Sequence, residues 1–159
     1  MNKSIITYDI YTDGSARGND PAHNCGGWAY CILFDGDLIR SDSGTVNDTT
    51  NQRMELQAAI EALKVIEDNF WDPNYEYHIY SDSAYLTNCY FQGWFYNWEK
   101  NGWINSARKP VANVDLWMKI IPYFKRKSFV FHKVKGHADN YYNNLVDKMA
   151  QTAADPLRR

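Results

Sequence analysis

The chain has 159 residues, 45% of them hydrophobic and 23% charged, a composition that fits one globular domain with a sizeable core. No apolar run approaches the length of a membrane span, and the three cysteines include no C-x-x-C pair. No zinc spacing links them to the four histidines, so they read as reduced, buried thiols. The net charge of −2 conceals an asymmetry: residues 1–99 hold 5 basic and 15 acidic side chains, whereas residues 100–138 hold 9 and 1. Such a division suits a protein that holds cations in one region and phosphates in another, although a charge run alone usually just solvates a surface.

Residues 5–12 (IITYDIYT) alternate, are rich in β-formers and stop at Asp13-Gly14, which reads as a strand followed by a turn. GGWAYCILF (26–34) and DLIRSDSGTV (37–46) read as two further strands joined through Asp35-Gly36. A helix follows over about 51–69, with Asn51 as its cap. Residues 75–81 (YEYHIYS) form a fourth strand, Asp82 or Ser83 caps a helix over 84–92, and 93–100 (GWFYNWEK) is a short aromatic helix ending near Asn101-Gly102. A loop carrying Arg108-Lys109-Pro110 leads to a helix over 114–124. After Lys125-Arg126-Lys127, read as solvated element ends, come a fifth strand over 128–134 and a final helix over 140–154. With no repeat, low-complexity tract or linker, residues 1–159 read as one domain, its core at about 5–154. Three antiparallel strands followed by β-α units predict an α/β fold, a mixed sheet flanked by helices, with ligands at the carboxyl ends of strands.

Acids stand out against this frame. With Gln57 at zero and about 100° per residue, Glu61 falls near 40°, Lys64 near −20° and Asp68 near 20°, one wet stripe. Glu55 falls at about 160°, on the side that should be dry, where a carboxylate is costly unless something pairs with it. Asp13 closes the first strand and could be an ordinary turn residue. Asp82 stands where a strand meets a helix and could be a cap. Asp147 lies at the margin of its helix's apolar stripe and could be a solvated acid. Together the four converge on one end of a sheet, and clustered like charges must be relieved by protons or cations. Oxygen-only ligands favour Mg²⁺, and two such ions about 3.5–4 Å apart are a known means of phosphodiester hydrolysis.

YTDGSARGN, TTNQRMEL, YSDSAYL, NWEKNGW, RKPVANVDLW, VKGHA and VDKMA resemble the type 1 ribonuclease H family, bacterial type with a single catalytic domain, in order and spacing. The resemblance spans about residues 5–154 and implies the ribonuclease H-like fold, a five-stranded mixed sheet with flanking helices. It implies endonucleolytic hydrolysis of the RNA strand of RNA–DNA hybrids, leaving 5′-phosphate and 3′-hydroxyl ends. By motif position the metal-binding acids would be Asp13, Glu55, Asp82 and Asp147, holding two Mg²⁺ ions with substrate, with Mn²⁺ able to substitute. His137 matches the catalytic-loop histidine, a residue type whose ordinary pKa suits proton movement.

The same resemblance implies substrate contacts. Asn51 and Gln52 match readers of RNA 2′-hydroxyls, for which amides carry both donor and acceptor. Asn19 and Thr50 match a pocket for a DNA-strand phosphate, with Arg17 nearby. Trp94 and Trp98 match a channel wall for DNA sugars, although an i, i+4 aromatic pair alone more often joins a core. Lys100, Arg108 and Lys109 are the charges left in a stretch that is densely basic in well-studied bacterial members, so fewer phosphate contacts and a shallower salt dependence are expected. Asn143, one turn before Asp147, matches a position that is usually Asn, whereas Ala84 replaces a common Gln.

Two rival readings are a DNA-directed nuclease of the wider fold and an inactive hybrid-binding module. The His-containing loop and the aromatic helix with its basic loop weigh against the first, and four intact acids weigh against the second. The expected partner is an RNA–DNA hybrid, with no membrane and no obligate protein partner. A monomer is expected, and a location in the cytoplasm, the latter because an alternating pattern opens the chain where a signal peptide would stand.

Overall fold

The computed structural model describes residues 5–18, 20, 23–135 and 140–155. Its elements are β1 (Thr7–Arg17), β2 (Cys25–Phe34), β3 (Asp37–Asn47), α1 (Asn51–Val65), β4 (Glu76–Ser81), α2 (Ala84–Gln92), α3 (Trp94–Asn101), α4 (Val114–Phe124), β5 (Phe129–Lys133) and α5 (Tyr141–Ala153). The strands form one sheet in the order β3-β2-β1-β4-β5, antiparallel from β3 to β1 and parallel from β1 to β5. The expected mixed sheet is therefore present.

Local chemistry explains most boundaries. Asp35 and Gly36, both at positive φ, make the tight turn between β2 and β3. Gly93 and Gly102, both left-handed, end α2 and α3. One face of the sheet carries Tyr8, Ile10, Tyr77, Ile79, Phe129 and Phe131 into the main core, which α1, α2 and α4 complete with Leu56, Leu63, Leu86, Trp117 and Ile120. On the other face, Val146 and Ala150 of α5 pack on Ala29, Cys31 and Leu33 of β2. Much of the aromatic surplus lies in the main core, including the stacked Tyr8–Tyr77–Phe129 row.

Several sequence expectations are corrected. β1 continues past Asp13-Gly14 to Arg17, because β2 pairs with it as far as Cys25. Thr50, not Asn51, caps α1, its hydroxyl accepting the Arg53 N–H at 3.1 Å. The helical pattern over about 51–69 is α1 as far as Val65 and a π-helical turn over Ile66–Phe70. Arg126 is not a solvated end: it pairs with Glu67 and lies 4.4 Å from the Trp71 ring centroid and 4.7 Å from that of Phe129. Its neighbour Lys125 pairs with Glu99 at 2.8 Å.

Candidate active site

Asp13 stands one residue beyond the last β1–β4 parallel pair, Thr12 opposite Ser81, at the carboxyl end of the sheet's centre. It is only 6% exposed, and one carboxylate oxygen accepts the Gly14 N–H at 2.9 Å. Gly14 explains how a second acid reaches this point. A Cβ there would lie 2.1 Å from the Met54 carbonyl carbon and 2.3 Å from the Glu55 nitrogen, so α1 crosses β1 in direct backbone contact. A larger residue would hold Glu55 away.

Glu55 is half-buried and accepts a 2.6 Å hydrogen bond from Ser83 Oγ. That same hydroxyl accepts the Leu86 N–H at 3.1 Å and so caps α2. Of the two cap candidates the structure selects Ser83, which leaves Asp82, half-buried, beside the other acids. The fourth acid, Asp147, projects from α5 and accepts from Gln151 Nε2 at 3.1 and 3.2 Å. α5 can lie close because a Cβ on Gly27 of β2 would be 2.3 Å from the Ala150 oxygen.

Electrostatics ties the four together. Burial, then the Asp82 and Asp147 carboxylates, pushes Asp13 up to about 9. Burial also raises Glu55, with Asp82 adding to the effect and the Ser83 hydrogen bond opposing it. The acids thus run as neighbours from Glu55 through Asp82 and Asp13 to Asp147. Among the described residues no three acid, histidine or cysteine side chains are arranged so as to hold a metal ion without rearrangement. The donor set is nonetheless of oxygen only, and a buried carboxylate raised so far calls for a proton or a cation at neutral pH.

The remaining sequence-derived positions fall around this cluster or outside the description. His137 and Asn19 lie outside the described residues. Asn143 is 2% exposed, and its Oδ1 has no hydrogen-bond partner among the described residues. Asn51 Oδ1 accepts the Ala16 N–H at 2.6 Å, which leaves its amide protons to donate outward, and Gln52 is exposed beside it. Thr50's oxygen serves the cap while its proton remains a donor. Trp94 and Trp98, ring centroids 6.1 Å apart and both half-buried, line an open groove of about 560 Å³ with Lys100, Ile104 and Asn105. Trp98 also packs on Trp117 at 5.7 Å, so the wall and core readings both hold for it. Arg108 and Lys109 are exposed in a loop folded around Asn105, whose Oδ1 accepts the Lys109 N–H at 3.0 Å.

Sequence reasoning missed the positioning roles of Gly14 and Ser83. A small residue after each strand-end acid was the available signal, and turn and cap explanations absorbed it. It also missed Arg53, whose guanidinium grips Asp115 at 2.7 and 3.0 Å and ties α1 to the start of α4.

A β3-β2-β1-β4-β5 sheet with acids gathered at the carboxyl ends of its central parallel strands has the architecture of the ribonuclease H-like nucleases. The RNase H family profile matches residues 6–155. The chain is 46% identical to a ribonuclease H of Prosthecochloris aestuarii over 153 residues, 96% of this chain and 97% of that protein. It is 44% identical to one of Moorella thermoacetica over 150 residues, 94% of this chain and 93% of that protein. Among solved structures, LC9-RNase H1, described as a type 1 RNase H with the type 2 active-site motif, superposes with a TM-score of 0.79 at 25% identity. That match covers 97% of this chain and 74% of the other. A foamy viral protease-reverse transcriptase in complex with RNA/DNA hybrid shares the fold, at a TM-score of 0.77 and 23% identity over 92% of this chain and 20% of that one. The chain belongs to the ribonuclease H family. It is a nuclease, and the reaction of its family is hydrolysis of the RNA strand of RNA–DNA hybrids.

Proposed function

We propose that Asp13, Glu55, Asp82 and Asp147 carry that reaction in this chain, holding two Mg²⁺ ions once a hybrid is seated. The observation that supports the reading most directly is the buried, strongly raised Asp13 beside Asp82 and Asp147. Bound magnesium supplies Lewis acidity, favouring the attacking form of water and steadying the leaving oxygen. The chain's own side chains do the rest. Asp13, touched by the fields of two other acids, would be the central ligand of the set, and Ser83 holds Glu55 by its hydrogen bond. Asn51 and Gln52 present amide donors toward RNA 2′-hydroxyls, and buried Asn143 offers an oxygen one turn before Asp147. On the DNA side, Thr50 and Asn19 take a phosphate, and Trp94 and Trp98 form a channel wall for the DNA sugars. Lys100, Arg108 and Lys109 contribute phosphate charge. His137, assigned by the family match, moves protons, so His137→Ala slows the reaction without abolishing it. The chain acts as a single-domain monomer in the cytoplasm; among the described residues no helix is long and apolar enough to cross a membrane.

The test is cleavage of a labelled RNA–DNA hybrid with Mg²⁺ and with EDTA, beside DNA and RNA duplexes. Cutting of the hybrid's RNA strand alone, lost in EDTA, is expected; cutting of duplex DNA but not hybrid would favour a DNA-directed nuclease. Asp13→Asn should lose cleavage yet retain hybrid binding, because binding rests on other residues. Near-normal turnover in that variant removes Asp13 from the assignment. Wild-type protein that binds hybrid but stays inert with Mg²⁺ and Mn²⁺ would make the chain a binding module.

A further inference from the structure

α5 packs on β1, β2 and β3, and the same sheet face continues beyond it across β4 and β5. Strand alternation fixes what lies there. Tyr77, Ile79 and Ser81 point into the core side and are buried, so Glu76, His78 and Tyr80 line the opposite face of β4. On β5, Phe129 and Phe131 are buried, so Val130 and His132 face the same way. The parallel register sets His78 opposite Val130 and Tyr80 opposite His132, which makes the two histidines diagonal neighbours.

They meet closely. His78 Nδ1 lies 2.7 Å from His132 Nε2, joining residues 54 apart in the chain. The other nitrogen of His78, Nε2, lies 3.0 Å from a Glu76 carboxylate oxygen. The His132 ring stacks on Tyr80 at 4.8 Å, and Tyr80 stacks on Tyr11 at 4.8 Å. Tyr80 donates its hydroxyl proton to Asp9 at 3.2 Å. With the Glu76 carboxylate fixing the proton of His78 on Nε2, the lone pair of His78 is on Nδ1, aimed at His132. Two imidazole nitrogens this close cannot both present lone pairs unless a proton or a metal ion lies between them. Burial and the neighbouring His78 hold His132 below its ordinary range, which keeps it available as a neutral ligand.

We propose that His78 and His132 form a second cation site, specific for a borderline divalent transition-metal ion of the zinc type and separate from the carboxylate cluster. Imidazole pairs suit such ions and not magnesium. Glu76 is not a ligand here but the partner that orients a metal-bound histidine through its distal nitrogen. Solvent supplies the remaining ligands, since the His78 side chain is 19% exposed and that of Glu76 38%. Two nitrogens about 2.05 Å from one tetrahedral ion stand roughly 3.3 Å apart, so the pair opens by about 0.6 Å as the ion replaces the shared proton. Roughly 13 Å of strand lies between His78 and Asp82, with Tyr80 and Tyr11 beside that path.

The experiment is equilibrium dialysis of the full chain against Zn²⁺ in a large excess of Mg²⁺, which occupies the carboxylates. One zinc ion per chain is expected, weakened at least tenfold in His78→Ala and in His132→Ala and unchanged in His23→Ala. Glu76→Gln should weaken it about tenfold. Zinc that fails to bind against magnesium, or that binds His132→Ala as tightly as wild type, overturns the proposal. A second measurement needs no variant. In imidazole ¹⁵N spectra of the unmodified protein, zinc must shift His78 Nδ1 and His132 Nε2, and shifts confined to the other histidines refute the site.

Discussion

Gly14→Ala probes the contact that brings Glu55 to Asp13. The new methyl carbon would meet Met54 and Glu55 backbone atoms at 2.1–2.3 Å, where ordinary contact begins near 3.4 Å. No flexible side chain can swing aside, because the obstacles are main chain of a buried turn; Met54 itself is 2% exposed. Helix and strand must separate locally by about 1 Å, an overpacking whose destabilisation belongs at the upper end of the usual range, about 3 kcal/mol. For a chain of this length that lowers the melting temperature by roughly 6–12 °C. A displacement of about 1 Å at Glu55 should slow hydrolysis by roughly a hundredfold. Gly36→Ala is the control. Nothing lies within 4 Å of its added Cβ, and only the positive φ of 86° is strained, so it should lose about 1 kcal/mol with an unchanged rate. Urea denaturation and initial rates on a labelled hybrid measure both effects. A Gly14→Ala protein as stable as Gly36→Ala and fully active would refute the reasoning.

Further outcomes follow from the same geometry. In EDTA, folded Asp13 keeps its proton at pH values where the unfolded chain, with an ordinary value of 3.8, has lost it. The unfolded state then binds fewer protons, so wild-type stability declines as pH rises from about 4 toward 9, and Glu55 adds in the same direction. Asp13→Asn should flatten the decline, as melting curves at pH 5 and pH 8 will show; equal slopes in both proteins would contradict Asp13's burial. Ser83→Ala should lose about 1 kcal/mol as the α2 cap disappears. It should also raise the Mg²⁺ concentration needed for half-maximal rate, with Ser83→Thr rescuing both, whereas an unchanged Mg²⁺ dependence would reduce Ser83 to a cap. A DNA duplex with one embedded ribonucleotide should be cut far more slowly than one with a ribonucleotide block, if the proposed contacts of Asn51, Gln52 and Asn143 extend over several ribonucleotides; comparable rates would contradict those contacts.

What the sequence conveyed and what it withheld divide along a physical line. Strand alternation, the 3.6-residue period and Gly caps are local, so five strands and five helices could be placed to within a few residues. Glu55 stood out because a helix wheel needs no knowledge of what packs against it. β1 was cut short because Gly14-Ser15-Ala16 is built for the close passage of α1, and such small residues carry no strand signal. Thr50 and Asn51 could each cap α1, and only the Ala16 N–H, supplied by β1, decides that the Asn51 oxygen is used elsewhere. Arg126 looked solvated because its aromatic partners Trp71 and Phe129 come from either side of it in the chain. His78 and His132 show the same limit: ligand spacing along a chain cannot reveal neighbours that exist only once β5 takes its register on β4.

Of the four acids, three arrive on β1, α1 and the β4–α2 junction, but Asp147 depends on α5, the last element among the described residues. A chain whose strands have paired but whose α5 has not yet docked therefore lacks the fourth of the proposed metal acids until that helix settles over Gly27.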